Sequence, residues 1–264
     1  MTRWDGGVRR TLDLYYDAAP RSAARVEEAG PFTLVAGTGP WPYYARPRLG
    51  TTHEFTAGDI EAARARQREL GLPETFEWVH ETTPSLLAAA RGAGLDVLEA
   101  PLMVLDRAAW REPEVRAVLR ILAPDDEALA AARAVQHVGF AAPGTASGPQ
   151  GRAERDAAVG DEGLEFLRER IRRRATVMAV AETGLGPVAA GQHQPVAAVT
   201  EIVGVATLPA LRRQGLGGAV TGALVEDALE HGAETVFLSA GSDDIARVYH
   251  RLGFRRVGTA CIVG

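Results

Sequence analysis

The sequence predicts a mixed α/β protein built from two tandem units. Helix-type and strand-type runs alternate along most of the chain, and one strand, loop, helix and strand pattern recurs at an offset of 159 to 160 residues. A basic, glycine-dense loop also joins a strand to a helix in the C-terminal half.

Ile60 to Leu70 reads as a helix, Thr75 to Val79 as a strand, Ser85 to Ala93 as a helix and Val97 to Leu105 as a strand. A second cycle opens at Val115 to Leu122 and continues with an alanine-rich helix from about Asp125 to Val138. It then passes through a loop rich in Ala, Gly, Pro and Ser from Ala141 to Gly151. The amphipathic stretch Glu162 to Arg174 is expected to be helical, and Thr176 to Ala181, Pro187 to Gln192 and Val196 to Leu208 to be strands. Leu216 to His231 then reads as helix, Thr235 to Ser239 as strand, Asp243 to Leu252 as helix and Arg255 to Val263 as strand.

The repeat is carried by few residues. Pro73 to Trp78 aligns with Ala233 to Leu238, with an offset of 160 at Glu74 and Glu234, and Gly94-Leu95 answers Gly253-Phe254 with an offset of 159. One single-residue gap reconciles the two. The expected division is an N-terminal unit over 1–113 and a C-terminal unit over 114–264.

Composition narrows the class. A chain of 264 residues with 46% hydrophobic residues can bury a core in each unit. Its one cysteine, Cys261, excludes an internal disulfide, and no Cys/His cluster has metal-ligand spacing, so no metal is expected. Met1 to Arg10 lacks the apolar core of a signal peptide and no run approaches bilayer length, so no membrane partner and a cytoplasmic location are expected. All 29 basic residues are arginine, yet the net charge is −5, which argues against a nucleic-acid partner and suits a cationic substrate.

The most informative stretch runs from Glu201 to Ala219: an apolar strand, a turn at Pro209, Arg212-Arg213-Gln214-Gly215-Leu216-Gly217-Gly218, and a helix start. Glycines at 215, 217 and 218 let the backbone turn tightly, and the first N–H groups of a helix offer unpaired donors and a positive dipole end to a phosphate. The loop lacks the Lys-Ser/Thr of a P-loop and the Gly-x-Gly-x-x-Gly spacing of a dinucleotide fold.

It resembles the pyrophosphate loop of the GNAT superfamily of N-acyltransferases, Gln/Arg-x-x-Gly-x-Gly/Ala, filled here by Arg212 to Gly217. Downstream, Tyr249 to Phe254 is similar to that superfamily's Leu-Tyr-x-x-x-Gly-Phe helix end. The resemblance implies two GNAT-like units, each a mixed, mostly antiparallel sheet flanked by helices, with the C-terminal one active. It implies acetyl-CoA as cosubstrate, direct transfer to an amine, and cofactor contacts from Val205, Ala206, Thr207, Arg212, Arg213, Gln214, Gly215, Leu216, Gly217, Gly218 and Ser242. Ser242 stands where many members carry asparagine.

An alkylamine with a pKa of roughly 10 is protonated at neutral pH, so attack on a thioester needs a proton acceptor. Glu201, on the strand leading into the loop, matches the general-base glutamate of histone-type members; a solvent-facing strand carboxylate is the other reading. Tyr249 matches the tyrosine that serves the leaving thiolate, or else packs between helix and sheet. His137, His193 and His250 are weaker candidates for a base or shuttle.

Subtracting 160 from the loop lands on Thr52 to Ala57, which holds neither glycine nor arginine, and subtracting 159 from Tyr249 lands on Ala90. The N-terminal unit therefore reads as a decayed copy that shapes the acceptor side. Trp41, Tyr43 and Tyr44, among Pro40, Pro42 and Pro47, either line an acceptor site or pack as a plug. A small-molecule or peptide amine both stay open as acceptor, as do monomer and homodimer. A non-catalytic acyl-CoA sensor is the alternative function.

Overall fold

A computed structural model describes residues 3–21, 23–37, 39, 43–113 and 115–264, with side chains described from residue 6 onward. The chain forms two compact units. The first comprises Met1–Leu102, Ser239–Gly241 and Arg256–Gly264, and the second Met103–Leu238 and Ser242–Arg255.

Unit 1 begins with helix α1 (Arg3–Arg21), a stretch the sequence patterning did not single out, which buries Leu12, Tyr15 and Tyr16 at helical spacing. Strands β1 (Ala24–Ala29) and β2 (Phe32–Gly37) form an antiparallel hairpin around Gly30, whose φ of +58° suits glycine. A short β3 (Arg46–Pro47) pairs with β2. Helix α2 (Ala57–Glu69), strand β4 (Phe76–Val79), helix α3 (Ser85–Gly92) and strand β5 (Leu98–Leu105) follow close to the expected spans. Phe32, Phe55 and Phe76 meet at ring distances of 5.0 and 5.4 Å, with Ile60, Leu86 and Trp78 packed around them.

Unit 2 opens with β6 (Val118–Ile121) and α4 (Ala128–Ala141), then α5 (Arg152–Ala157), which no sequence signal had marked, and α6 (Leu164–Arg172). Three antiparallel strands follow: β7 (Val177–Thr183), β8 (Gly186–Val196) and β9 (Val199–Thr207). Val196, expected to begin the third strand, ends the second, because the turn falls at residues 197–198, where Ala197 takes φ +51°. Helix α7 (Leu216–Glu230), strand β10 (Thr235–Ser239), helix α8 (Asp243–Arg251) and strand β11 (Phe254–Val263) complete the chain. The strand order in unit 2 is β10-β9-β8-β7-β6.

β11 leaves the unit that precedes it. Its residues Arg256–Gly264 belong to unit 1, where the order is β4-β11-β5, with Ala260 opposite Val79 and Val263 opposite Phe76. Five consecutive residues of β7, Val177 to Ala181, are buried, as expected of a strand covered on both faces. One face of the sheet meets α7: Val205, Val220 and Leu224 converge on Gly191. The other meets α4: a Cβ on Gly139 would lie 2.8 Å from that of Ala206. Phe237, wholly buried on β10, anchors this core, and truncating it to alanine would cost about 3–5 kcal/mol.

Candidate active site

Strand β9 is irregular where the site is built. From Ala190 to Gln192, β8 advances two residues while β9 advances three, from Ala206 to Val203, so β9 carries one extra residue. Side-chain directions agree: Thr200 and Val205, five positions apart, both face α7, which strict alternation forbids. The bulge centres on Gly204, at φ +65°, whose carbonyl accepts a 2.7 Å hydrogen bond from Gln136 Nε2 on α4. Gln136 Oε1 in turn accepts from Gln192 Nε2 at 3.2 Å. Neither glutamine stood out in the sequence; the glycine inside a strand was the available signal.

On its other side β9 pairs in parallel with β10 over three positions only, from Val199–Thr235 to Glu201–Phe237. Beyond Glu201 the two strands part. The main chain of Val203 to Thr207 therefore has an edge turned to the widening gap, and Val205 and Thr207 are half-buried while Ala206 is buried. An extended ligand can add its amides to such an edge.

The gap leads to the glycine loop. After a 3₁₀ turn at Pro209–Leu211, Arg213 adopts φ +67° and Gly215 φ +79°, and α7 starts at Leu216 with no side chain capping it. Arg213, Gln214 and Gly215 are exposed, whereas Leu216 and Gly218 are buried. A non-glycine residue in the left-handed region costs about 1–2 kcal/mol, and such strain tends to persist at functional loops. Gly217 packs against the end of β9: a Cβ there would lie 3.3 Å from Thr207 Oγ1 and 3.8 Å from Val205. A Cβ on Gly218 would lie 3.8 Å from the Leu252 side chain, just after α8.

The Arg212 side chain is taken up by the chain's own carbonyls. Its guanidinium donates to the carbonyls of Gly139 (2.8 Å), Ala142 (2.6 Å), Ala146 (3.1 Å) and Thr207 (3.3 Å), and burial lowers its pKa. It satisfies acceptors around the C-terminal end of α4, so its part in the loop is to brace the backbone. Ser242 is similarly engaged: its Oγ accepts from Ile245 N at 3.3 Å and caps α8.

Glu201 is half-buried, opposite Gln194 on β8, and sits at the last rung before the strands separate. Because Thr200 faces α7, Glu201 points to the α4 face, four residues or about 13 Å of strand before Val205. Tyr249 is 9% exposed and packs edge-on against Phe254 at 6.0 Å. Burial pushes its hydroxyl up to about 12, and that hydroxyl makes no hydrogen bond among the described residues. His137 and His250 are exposed. His193 is 1% exposed and bridges Thr200 Oγ1 (2.8 Å) and Asp227 Oδ2 (2.9 Å), a structural link between β8, β9 and α7.

In the N-terminal copy, Thr52 to Ala57 also leads into a helix, but that helix is capped from within. Thr56 Oγ1 accepts from Asp59 N at 3.3 Å, and Asp59 Oδ2 accepts from Thr56 N at 2.8 Å. A carboxylate of the chain already occupies the place an anion would take. Ala90 is buried in α3. Trp41, Pro40 and Pro42 lie outside the described residues, and Tyr43 and Tyr44 are half-buried.

A parting pair of parallel strands, a bulge and an uncapped glycine loop at a helix N-terminus all lie within unit 2. Residues 151–254 match the model of the acetyltransferase (GNAT) family. Among solved structures the chain is similar to a GCN5-related N-acetyltransferase from Kribbella flavida, at 21% identity and TM-score 0.73, over 97% of this chain and 95% of that one. It is also similar to a functionally unknown conserved protein from Staphylococcus epidermidis ATCC 12228 (16%, TM-score 0.59, over 94% and 96%). A third likeness is to a tandem GNAT protein from the clavulanic acid biosynthesis pathway (17%, TM-score 0.54, over 88% and 77%). At these identities the likeness is one of fold, and it agrees with the expected tandem α/β architecture. No curated protein matches the sequence.

Proposed function

We propose that this protein is a cytoplasmic N-acetyltransferase that moves an acetyl group from acetyl-CoA directly to the amine of a small molecule or peptide. The separation of β9 from β10 beyond Glu201, opening toward the uncapped Gly215 turn, is the observation that carries this reading. The residues fit the cosubstrate: main chain of Val205, Ala206 and Thr207 for its amide-bearing arm, and N–H groups from Arg213 to Gly218 for its pyrophosphate. Acetyl-CoA supplies the activated thioester.

Glu201 takes the proton that the acceptor ammonium must lose before its nitrogen can attack. Tyr249 donates a hydrogen bond to the departing sulfur. With its hydroxyl pushed up to about 12, it keeps its proton against a thiolate of pKa roughly 8.5, so it steadies charge as a neutral donor. In sequence terms we place the tandem copies at 1–113 and 114–264, with the active copy lending β11 to unit 1.

Calorimetric titration with acetyl-CoA, beside Gly215→Glu with Gly217→Glu, tests the reading. Saturable binding lost in the variant, followed by turnover of an amine panel that collapses in Glu201→Gln, is the expected result. Absence of binding by folded wild type would overturn it. Binding without turnover on any amine would replace the enzyme by an acyl-CoA-binding regulator.

A further inference from the structure

Unit 1 contains a cavity of ≈ 100 Å³ beneath α1, walled by β2, β3 and β4 and by the segment after β4. Its charged groups are almost all matched. Arg46 pairs with Glu77, which is 6% exposed, and the Arg46 guanidinium also lies 4.1 Å from the centre of the Tyr16 ring. Arg48 pairs with Glu28 at 3.2 Å, and Asp17 with Arg21 at 2.6 Å. Asp13 is the exception: among the described residues its carboxylate accepts one hydrogen bond, from Thr82 Oγ1 at 3.2 Å, and forms no ion pair. The cavity is thus a built recess holding one carboxylate that has no ion-pair partner among the described residues.

We propose that this cavity is a binding site for a compact organic cation, a primary ammonium group on a short alkyl stem, held by Asp13. A carboxylate inside a recess favours a positive charge, and hydroxyls of Thr33 and Thr83 in the wall can accept the remaining ammonium hydrogens. Val35 and Val79 give the stem an apolar surface. A multivalent metal ion is the wrong guest, because among the described residues no three His, Cys, Asp or Glu side chains gather to hold one. The volume limits the guest to a group of a few heavy atoms.

Burial pushes the Asp13 carboxyl up to about 6, with the Thr82 hydrogen bond and the Arg46 charge opposing. The charged groups around it are Arg46 and Arg48 from β3 and just after it, Glu77 from β4, and Asp17 one turn further along α1. The carboxylate is therefore ionised at pH 7.5 in a place that disfavours its charge, and a cation relieves that penalty. The site uses none of the residues proposed for acetyl transfer, so it stands whether or not that reading does.

The full chain is titrated with n-propylammonium chloride and, as a neutral isostere, n-propanol, following amide chemical shifts. Saturable binding of the ammonium alone is expected, weakened at least about tenfold in Asp13→Asn and unchanged in Gly215→Glu with Gly217→Glu. Wild-type affinity should fall about tenfold from pH 7.5 to pH 5, as a carboxylate with a pKa near 6 takes up its proton. No saturable binding, equal binding of n-propanol, or undiminished binding by a folded Asp13→Asn overturns the proposal. Should Asp13→Asn fail to fold, the pH series on wild type decides: an affinity flat from pH 7.5 to 5 overturns it, and the tenfold fall upholds it.

Discussion

Replacing Gly204 by alanine tests the bulge on which the site depends. The position is at φ +65°, where an L-residue pays about 1–2 kcal/mol. A Cβ there would lie 2.6 Å from Gln136 Nε2, so the glutamine must swing away and surrender its 2.7 Å hydrogen bond to the Gly204 carbonyl. An unmet carbonyl in a half-buried place adds about 1 kcal/mol. Together Gly204→Ala should cost about 2–3 kcal/mol, read as a loss of roughly 5–10 °C in melting temperature for a chain of this size. The two contributions separate in a double-mutant cycle. In a Gln136→Ala background the hydrogen bond is already gone and the clash is absent, so Gly204→Ala should cost only the backbone share, leaving a coupling of about 1 kcal/mol. Acetyl-CoA affinity should fall with stability in both backgrounds, because the extra residue sets where β9 turns its edge to the gap. A cost below about 0.5 kcal/mol, or equal costs in the two backgrounds, would refute the reasoning.

Tyr249→Phe should leave acetyl-CoA affinity within about twofold while lowering kcat by about a hundredfold, in steady-state assays with the amine that the panel identifies. Arg212→Lys should destabilise unit 2 by about 1–2 kcal/mol, since one ammonium cannot serve the four carbonyls that the guanidinium bridges; chemical denaturation reads this directly. Asp227→Asn should cost about 3 kcal/mol, chiefly because it strips the buried His193 of its carboxylate, which the exposed Arg174 shares. Burial alone would raise the Asp227 carboxyl, yet His193 and Arg174 overcome that and hold it below the usual range. Its stabilisation is accordingly complete above the unfolded value of about 4 and disappears as pH falls below that. The gap between the wild-type and variant melting temperatures should therefore narrow as pH falls below about 4 toward the depressed folded value of the carboxyl.

Much of the fold was legible because periodicity and punctuation were strong. The helices after Thr56, Pro84, Gly215 and Ser242 were expected within a few residues of where they lie, as were β4, β5, β10 and β11. The N-terminal quarter was not read, because α1 mixes charged and aromatic residues and the strands β1 and β3 bury no side chain fully. The exchange of β11 into unit 1 was invisible for another reason: strand order is a long-range property, and nothing local in Phe254 to Val263 names its neighbours. At the site, residue types gave the loop but not the direction of its side chains. Arg212 stands among the expected cofactor contacts by its place in the motif, and the bonds of its guanidinium to the carbonyls at the end of α4 are long-range contacts that no local pattern announces. Gln136 and Gln192 carried no signal because their role exists only once the bulge brings Gly204 to α4.

The two helix starts that the repeat brings within one residue of each other, at Ala57 and at Leu216, show how one scaffold takes opposite courses. In the N-terminal copy Thr56 and Asp59 satisfy each other's backbone donors, an arrangement worth about 1 kcal/mol to the helix, and the acidic side chain also lies favourably against the dipole. In the C-terminal copy the equivalent place is Gly215, which has no side chain to cap with, and Arg213 two residues earlier is held in a left-handed conformation. That loop forgoes the stability of a cap and adds backbone strain, and its first N–H groups are left for an anion from outside. A helix start that served packing alone would gain from a cap such as Thr56 supplies. Its lack at Gly215, beside the stretch of β9 past Glu201 that has no register with β10 among the described residues, is what supports the proposal of one cosubstrate long enough to span both.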